Sequence, residues 1–255
     1  MINGKFRSIA VGALLLASNA ALSQVVDICP SEASRDAIHT ALKAALVQAT
    51  AASNGGFALN MWGSVVNRDG VVCAVAYTGD DRGDQWPGSR VISAQKANTA
   101  NAFSLPGLAL STANLWEATQ PGGSLFGLQE SNPVSTAVAY AGPSTAYGTN
   151  RDPMLGQKIG GINVFGGGLP LYSKDGVLVG AIGVSGDSSC ADHNIAWRVR
   201  NIVKMDYVPA GVAPDGSDQI IFMGGSTGGF GHPQCGGTEH TLVPDLPEIR
   251  EVGQP

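Results

Sequence analysis

The architecture of this chain follows from GGINVFGGGLPLYSKDGVLVGAIGVSGDSSCAD, residues 160–192. Two extended runs flank a turn at residues 174–176, where an Asp-Gly pair supplies the positive φ angles that a tight hairpin needs. The second run, residues 177–185, is almost continuously apolar, which is typical of a central strand covered on both faces. Gly180 and Gly183 leave room for another element to approach closely. We therefore predict a hairpin and a glycine-rich corner, followed by a helix.

Three helices are predicted where apolar residues recur at the helical period, at residues 32–52, 89–103 and 191–205. In the first helix, His39 lies beside the apolar stripe, where a lone histidine is more often a surface residue than a ligand. In the second helix, Lys96 is either a surface residue with a packed alkyl stem or a partner for an anionic group. The surface role is the commoner of the two, so the helices alone define no site.

The remaining segments are shorter or irregular. A second hairpin with an Asp-Gly turn is predicted from strands at residues 57–66 and 71–77. The polar, glycine- and proline-rich residues 118–159 show no period, and a loop of this length is usually functional or an interface. A final strand is predicted at residues 219–223, and the last dozen residues are expected to form an exposed tail.

The amino terminus predicts export. Residues 1–23 combine a basic start at Lys5 and Arg7 with a short apolar run and small residues before a cleavage position after Ser23. A membrane anchor is the alternative, but the apolar run is too short to span a bilayer. Removal of Lys5 and Arg7 changes the net charge from −5 to −7, which disfavours nucleic acid and anionic membranes as partners. We expect an exported protein, periplasmic or extracellular, with no membrane span after cleavage.

Four cysteines are present, an even number that suggests two disulfides in an oxidising compartment. Three pairings are possible. We favour Cys29–Cys73 and Cys190–Cys235, because each pair would connect a chain end to the nearer half of the fold. A zinc site formed by the second pair and neighbouring histidines is the alternative, although its spacer is much longer than a small zinc module needs.

No catalytic motif stands out. The glycines near Gly168 lack the lysine and hydroxyl residue of a phosphate-binding loop, and Ser185 lies outside a nucleophile-elbow pattern. Paired carboxylates for acid–base chemistry are not evident either. The residues by themselves thus predict an exported, disulfide-bonded α/β domain whose glycine-rich corner is a candidate binding site.

The hairpin motif resembles a known family. GGLPL at residues 167–171 and VGAIGVSG at residues 179–186 are similar to the signature of the GlcG/HbpS family, which includes the C-terminal domain of PduO-type proteins. AQKANTANAF at residues 94–103 resembles the second motif of that family, in the expected order. The resemblance covers roughly residues 32–205.

The resemblance implies an α/β (α+β) fold with about five antiparallel strands flanked by helices, often assembled into homo-oligomers. We expect a family domain at residues 27–209, with residues 118–159 as an insertion that the family pattern lacks. Residues 210–255 are expected to form an extension connected back by a disulfide.

The resemblance also implies haem, or a related tetrapyrrole, as cofactor and partner, in haem or iron sensing, storage or handling without classical catalysis. His39 is the nearest match to an axial haem-iron ligand, and Lys96 and Thr99 would meet the propionates or line the pocket. Two alternatives remain open: a small-molecule enzyme or accessory factor of glycolate-type hydroxy-acid metabolism, and a structural or assembly role.

Overall fold

The computed structural model of the protein describes residues 25–226 and 228–253, so the predicted signal segment lies outside the described residues. The helices and strands are, in order, α1 (Glu32–Thr50), β1 (Trp62–Asn67), β2 (Val72–Tyr77), α2 (Ser89–Phe103), α3 (Leu128–Ser131), α4 (Thr136–Ala139), β3 (Gly168–Tyr172), β4 (Leu178–Ser185), α5 (Ser189–Ile202), β5 (Ile221–Phe222) and β6 (Gly231–His232). Short 3₁₀ turns lie at Thr112–Leu115, Glu117–Thr119, Ser144–Ala146, Glu239–Thr241 and Val243–Asp245. Within the described ranges, no helix combines the length and apolarity required to cross a membrane.

The main sheet has four antiparallel strands in the order β2-β1-β4-β3. The prediction of an α/β fold with an antiparallel sheet and flanking helices is confirmed, but the sheet has four strands and not about five. The strand expected at residues 219–223 does not join this sheet. Its residues form β5, which pairs in parallel with β6 in a separate two-stranded ribbon.

Strand β4 is central and buried along its whole length, as its apolar run predicts. On one face of the sheet, α1 and α5 pack over an apolar cluster that includes Leu46, Ile182 and Ile195. On the other face, α2 packs over a second cluster that includes Val66 and Ala97. The main domain is therefore a sheet with helices on both faces.

Strand β1 begins at Trp62, five residues later than the sequence pattern indicates. The backbone amides of Phe57 and Leu59 donate hydrogen bonds of 2.9 and 3.2 Å to the Asp187 carboxylate. Because these amides are bound to a side chain, they are not available to a neighbouring strand, and residues 57–61 stay outside the sheet.

Both predicted disulfides, Cys29–Cys73 and Cys190–Cys235, are present. The first joins the segment before α1 to β2, and the second joins the start of α5 to the segment after β6. The segment after β6 is thereby fastened to α5.

The prediction of an exposed carboxyl-terminal tail is only partly correct, because residues 251–253 are exposed whereas Leu246, Ile249 and Arg250 are not. Leu246 is buried, and the Trp197 indole N–H donates a 2.7 Å hydrogen bond to the Pro247 carbonyl. Arg250 forms an ion pair with Asp206. The tail packs against α5 because the outward face of this helix carries a large aromatic side chain with a donor that needs a partner.

Candidate functional site

The glycine-rich corner encloses a buried ion pair. The Lys96 ammonium lies 2.6 Å from Asp192 Oδ2 and 3.2 Å from the Val184 carbonyl oxygen, and both side chains of the pair are 2–3% exposed. The surface role expected for Lys96 is therefore wrong, and the alternative, a partner for an anionic group, is correct. The anion is an internal aspartate, so the corner is occupied by the protein itself.

Asp192 connects three parts of this corner. Its Oδ1 accepts the amide of Asp187 at 2.9 Å, while its Oδ2 accepts the Lys96 ammonium. Burial raises the pKa of Asp192 to about 6, and the adjacent Lys96 opposes part of that rise. A buried carboxylate with these contacts positions β4, α2 and α5 relative to one another.

Two buried histidines lie beside this pair. His193 Nε2 lies 2.8 Å from Gln219 Oε1, and its Nδ1 has no partner among the described residues. His232 Nδ1 donates to the Pro233 carbonyl at 2.8 Å and its Nε2 accepts the Gly166 amide at 3.3 Å. Burial lowers the pKa of His193 to about 3 and that of His232 to about 4, so both are neutral at pH 7.

The zinc site considered as an alternative to the second disulfide is only partly formed. Cys190, His232 and Cys235 bring one candidate ligand atom each within 4.8 Å of one another. The two cysteines are joined in a disulfide, however, and a zinc ligand must be a thiolate. The oxidised protein does not offer this cluster as a zinc site.

Because of the two buried histidines, we expect the free energy of unfolding to decrease as the pH is lowered. The unfolded chain takes up protons near pH 6.5, whereas folded His193 and His232 resist them until about pH 3 and 4, so unfolding is favoured as pH decreases. Asp192 offsets part of this loss, because its carboxyl takes up a proton near pH 6 in the folded protein but only near pH 3.8 in the unfolded chain. At 1.36 kcal/mol per pKa unit, we expect the free energy of unfolding to fall by about 2–3 kcal/mol between pH 7 and 5.

Urea denaturation at the two pH values measures this loss. The His193→Gln variant should show a clearly smaller pH dependence, while the matched His240→Gln variant, at an exposed position, should match the unchanged protein. An unchanged pH dependence in His193→Gln would rule out this explanation.

His39 lies half-buried on α1, close to the edge of the sheet formed by β2. Its Nε2 is 3.1 Å from the Gly148 carbonyl oxygen. Because a carbonyl can only accept, Nε2 carries the proton and the lone pair is on Nδ1. Gly148 belongs to the segment of residues 118–159 and approaches so closely that a Cβ there would lie 2.3 Å from the Tyr77 ring. This segment thus fixes the orientation and tautomer of the His39 ring.

Two cations flank His39 along α1. Arg35 and Lys43 are one helical turn before and after it, so the three side chains form a row, which we call the basic row. The Lys43 ammonium lies 5.1 Å from the centre of the Tyr77 ring. Arg35 and Lys43 were not predicted as site residues, although each is four residues from His39 in the sequence.

An apolar groove of about 300 Å³ runs beside the basic row, between α1 and α5. Its walls include Ile38, Leu42, Val199 and Met205. Leu42 comes three residues after His39, and residues three apart are neighbours on a helix surface, so the groove borders the basic row along α1.

The structure does not bring His39, Lys96 and Thr99 together. Lys96 and Thr99 are buried on α2, which packs on the opposite face of the sheet from α1. The Thr99 hydroxyl donates to the Gln95 carbonyl at 2.8 Å and accepts the Asn163 amide at 2.9 Å. Both α2 residues are therefore held by internal contacts, and only His39 remains near the surface.

Residues 34–200 match the family model described as "Haem degrading protein HbpS-like". The match covers well over half of the chain, and the protein belongs to this HbpS-like family. The resemblance stated from the sequence motifs is confirmed. No curated protein matches the chain.

Three solved structures are similar to this chain at low identity. A PduOC:haem complex is 21% identical, covers 69% of this chain and 95% of its own, and has a TM-score of 0.45. The ORFY protein of Klebsiella pneumoniae is 24% identical, with coverages of 71% and 94% and a TM-score of 0.46. A double mutant of HbpS from Streptomyces reticuli is 19% identical, with coverages of 76% and 99% and a TM-score of 0.44.

Proposed function

We propose that this protein binds haem on the outer side of α1, with His39 Nδ1 as the axial ligand of the iron. The observation that carries the proposal is the 3.1 Å contact between His39 Nε2 and the Gly148 carbonyl. Histidines that bind metals commonly donate their second ring N–H to a carbonyl, which fixes the tautomer and makes the ligating nitrogen more basic. The family description, which names haem, supports the same cofactor.

The basic row suits the two propionates of a haem. Arg35 and Lys43 lie on either side of His39, so each can pair with one carboxylate while the iron is near the imidazole. We assign this role to them in place of Lys96 and Thr99, which are enclosed on the other face of the sheet. The adjacent apolar groove offers surface for the edge of the macrocycle.

A bound haem would supply a redox-active iron, and this chain would hold and orient it. We further propose that the protein acts after export, in haem sensing, storage or handling. The signal-like residues 1–23 support export. The two disulfides are consistent with an oxidising compartment. Assembly into a homo-oligomer stays a prediction.

An absorbance titration with hemin tests the binding. Adding hemin to the purified protein with intact disulfides should give a saturable shift of the Soret band with one haem per chain. A linear increase without saturation, equal to that of free hemin in buffer, would contradict the proposal.

Propionate pairing gives a separate prediction. The Arg35→Gln/Lys43→Gln double variant should bind hemin at least about tenfold more weakly, because two charge-assisted hydrogen bonds are lost. Its affinity for hemin dimethyl ester, which lacks the propionate charges, should be unchanged. The matched Lys158→Gln/Lys174→Gln variant removes two exposed cations elsewhere and should bind both compounds normally. Equal losses for hemin and the ester would show that the basic row does not bind the propionates.

A further inference from the structure

A second cavity lies between α5 and the carboxyl-terminal residues of the chain, and we call it the carboxyl-terminal pocket. Its volume is about 470 Å³, which is within the range of small-molecule sites. The apolar part of its wall is formed by Trp197, Val243, Pro244, Leu246, Pro247 and Ile249. The pocket shares no lining residue with the groove beside the basic row, so it is separate from the proposed haem site.

The walls of this pocket are held in place by contacts within the protein. The Trp197 side chain is buried, and its indole N–H donates a 2.7 Å hydrogen bond to the Pro247 carbonyl. The Leu246 amide donates to the Val243 carbonyl at 3.2 Å, and the Leu246 side chain is buried against the main domain. Because the walls are already ordered, a ligand that enters the pocket does not have to supply the free energy of ordering them.

All the charged side chains that line the carboxyl-terminal pocket are acidic. They are Asp215, Glu248 and Glu251. Asp215 and Glu248 are exposed, and neither has an ion-pair partner in the described part of the chain. Asp215 Oδ1 accepts the amide and the hydroxyl of Ser217, which fixes the direction of this carboxylate. The mouth of the pocket is therefore negatively charged.

The two cations close to the pocket are already neutralised. The Arg200 guanidinium lies 4.6 Å from the centre of the Trp197 ring, but it is fully buried and donates two hydrogen bonds of 2.7 Å to the Asp218 carboxylate. Arg250 forms an ion pair with Asp206. Since both arginines are paired with carboxylates, the charges at the mouth favour a cationic ligand.

One buried amide that lines the pocket lacks a partner. Gln219 is 8% exposed, and its Oε1 accepts the Ile220 amide at 2.8 Å and lies 2.8 Å from His193 Nε2. Its Nε2 has no acceptor among the described residues. This nitrogen is not one of the unpartnered atoms that the protein encloses completely, so its N–H groups reach the surface of the pocket. An amide nitrogen can only donate, so a ligand that fills the pocket should bring an acceptor.

We propose that the carboxyl-terminal pocket binds a small arylalkyl ammonium ion that also carries a hydroxyl or carbonyl oxygen. The ammonium group pairs with Asp215 and Glu248 at the mouth. The aromatic ring packs on the apolar wall, where a tryptophan and two prolines offer flat surfaces. The oxygen accepts a hydrogen bond from Gln219 Nε2.

Isothermal titration calorimetry with tyramine tests the proposal on the full protein with both disulfides intact. Tyramine has an ammonium group, an aromatic ring and a hydroxyl oxygen. Tyrosol, in which a hydroxyl replaces the ammonium group, is the neutral control, and phenethylamine, which lacks the ring hydroxyl, is the control for the acceptor. We expect saturable binding of tyramine, at least about tenfold weaker binding of tyrosol, and weaker binding of phenethylamine.

The Asp215→Asn/Glu248→Gln variant removes two charges from the mouth and keeps the shape of both side chains. It should lose at least about tenfold in tyramine affinity and bind tyrosol as the unchanged protein does. The matched Asp69→Asn/Glu130→Gln variant removes two exposed carboxylates elsewhere and should bind tyramine normally. In Gln219→Met, tyramine should lose its advantage over phenethylamine, because the amide that meets the hydroxyl is absent.

The proposal is overturned by the absence of saturable heat with tyramine up to millimolar concentration. It is overturned equally if tyrosol or phenethylamine binds as tightly as tyramine, or if Asp215→Asn/Glu248→Gln leaves the tyramine affinity unchanged. The comparison of the three ligands uses the unchanged protein, so it decides the proposal even if Gln219→Met does not fold. None of these outcomes depends on whether hemin binds at His39.

Discussion

Replacing Lys96 by methionine should lower the free energy of unfolding by about 3–5 kcal/mol, the range found when one member of a buried ion pair is removed. The variant leaves the Asp192 carboxylate enclosed without its cation, at a position where the side chain is 3% exposed. Urea denaturation at pH 7 measures the loss. At pH 5 the loss should be smaller, because the unpaired carboxyl then takes up a proton on folding.

A double-mutant cycle distinguishes this explanation from a loss of packing. In Lys96→Met/Asp192→Asn no buried charge is left without a partner, so the double variant should be more stable than the sum of the single losses predicts. The matched Lys174→Met variant disrupts the exposed pair with Asp175 and should change stability by less than about 0.5 kcal/mol. Strictly additive losses would refute the coupling.

Gly183→Ala should destabilise the protein by at least about 3 kcal/mol or prevent folding, at the upper end of overpacking effects. A Cβ at this position would lie 1.9 Å from the Ser93 carbonyl oxygen and 2.5 Å from the Ala97 amide nitrogen. Both atoms belong to the backbone of α2, so no flexible side chain can move away, and the whole helix would have to shift from β4.

Gly107→Ala is the matched control, because a Cβ at residue 107 meets no atom within 4 Å. The free energies of unfolding of the two variants, measured by thermal or urea denaturation, should differ by at least about 3 kcal/mol. If Gly183→Ala unfolds like the unchanged protein, α2 does not pack against β4 as closely as described.

The sequence predicted the elements whose burial is regular. Strand β4 is buried at every position and α2 spans the predicted residues 89–103, because periodic burial produces periodic sequence. Single contacts leave no such pattern in the sequence. The Asp187 carboxylate binds the Phe57 and Leu59 amides, so β1 begins only at Trp62, and no periodicity indicates this.

The candidate site could be predicted only in part for the same reason. His39 was identified from the family resemblance, but its partner Gly148 is 109 residues away and offers only a backbone carbonyl, which no side-chain pattern reveals. Lys96 and Asp192 are 96 residues apart, so their pairing could not be distinguished from surface exposure before the fold was known.

The assignment of His39 as the axial ligand is tested most directly by the absorption spectrum of the hemin complex. His39→Ala should lose the Soret band of the unchanged protein and retain only the broad spectrum of weakly associated hemin. His240→Ala, which removes an exposed histidine outside α1, should keep the original band. A His39→Ala complex with the same Soret position and intensity as the unchanged protein would contradict haem ligation by His39.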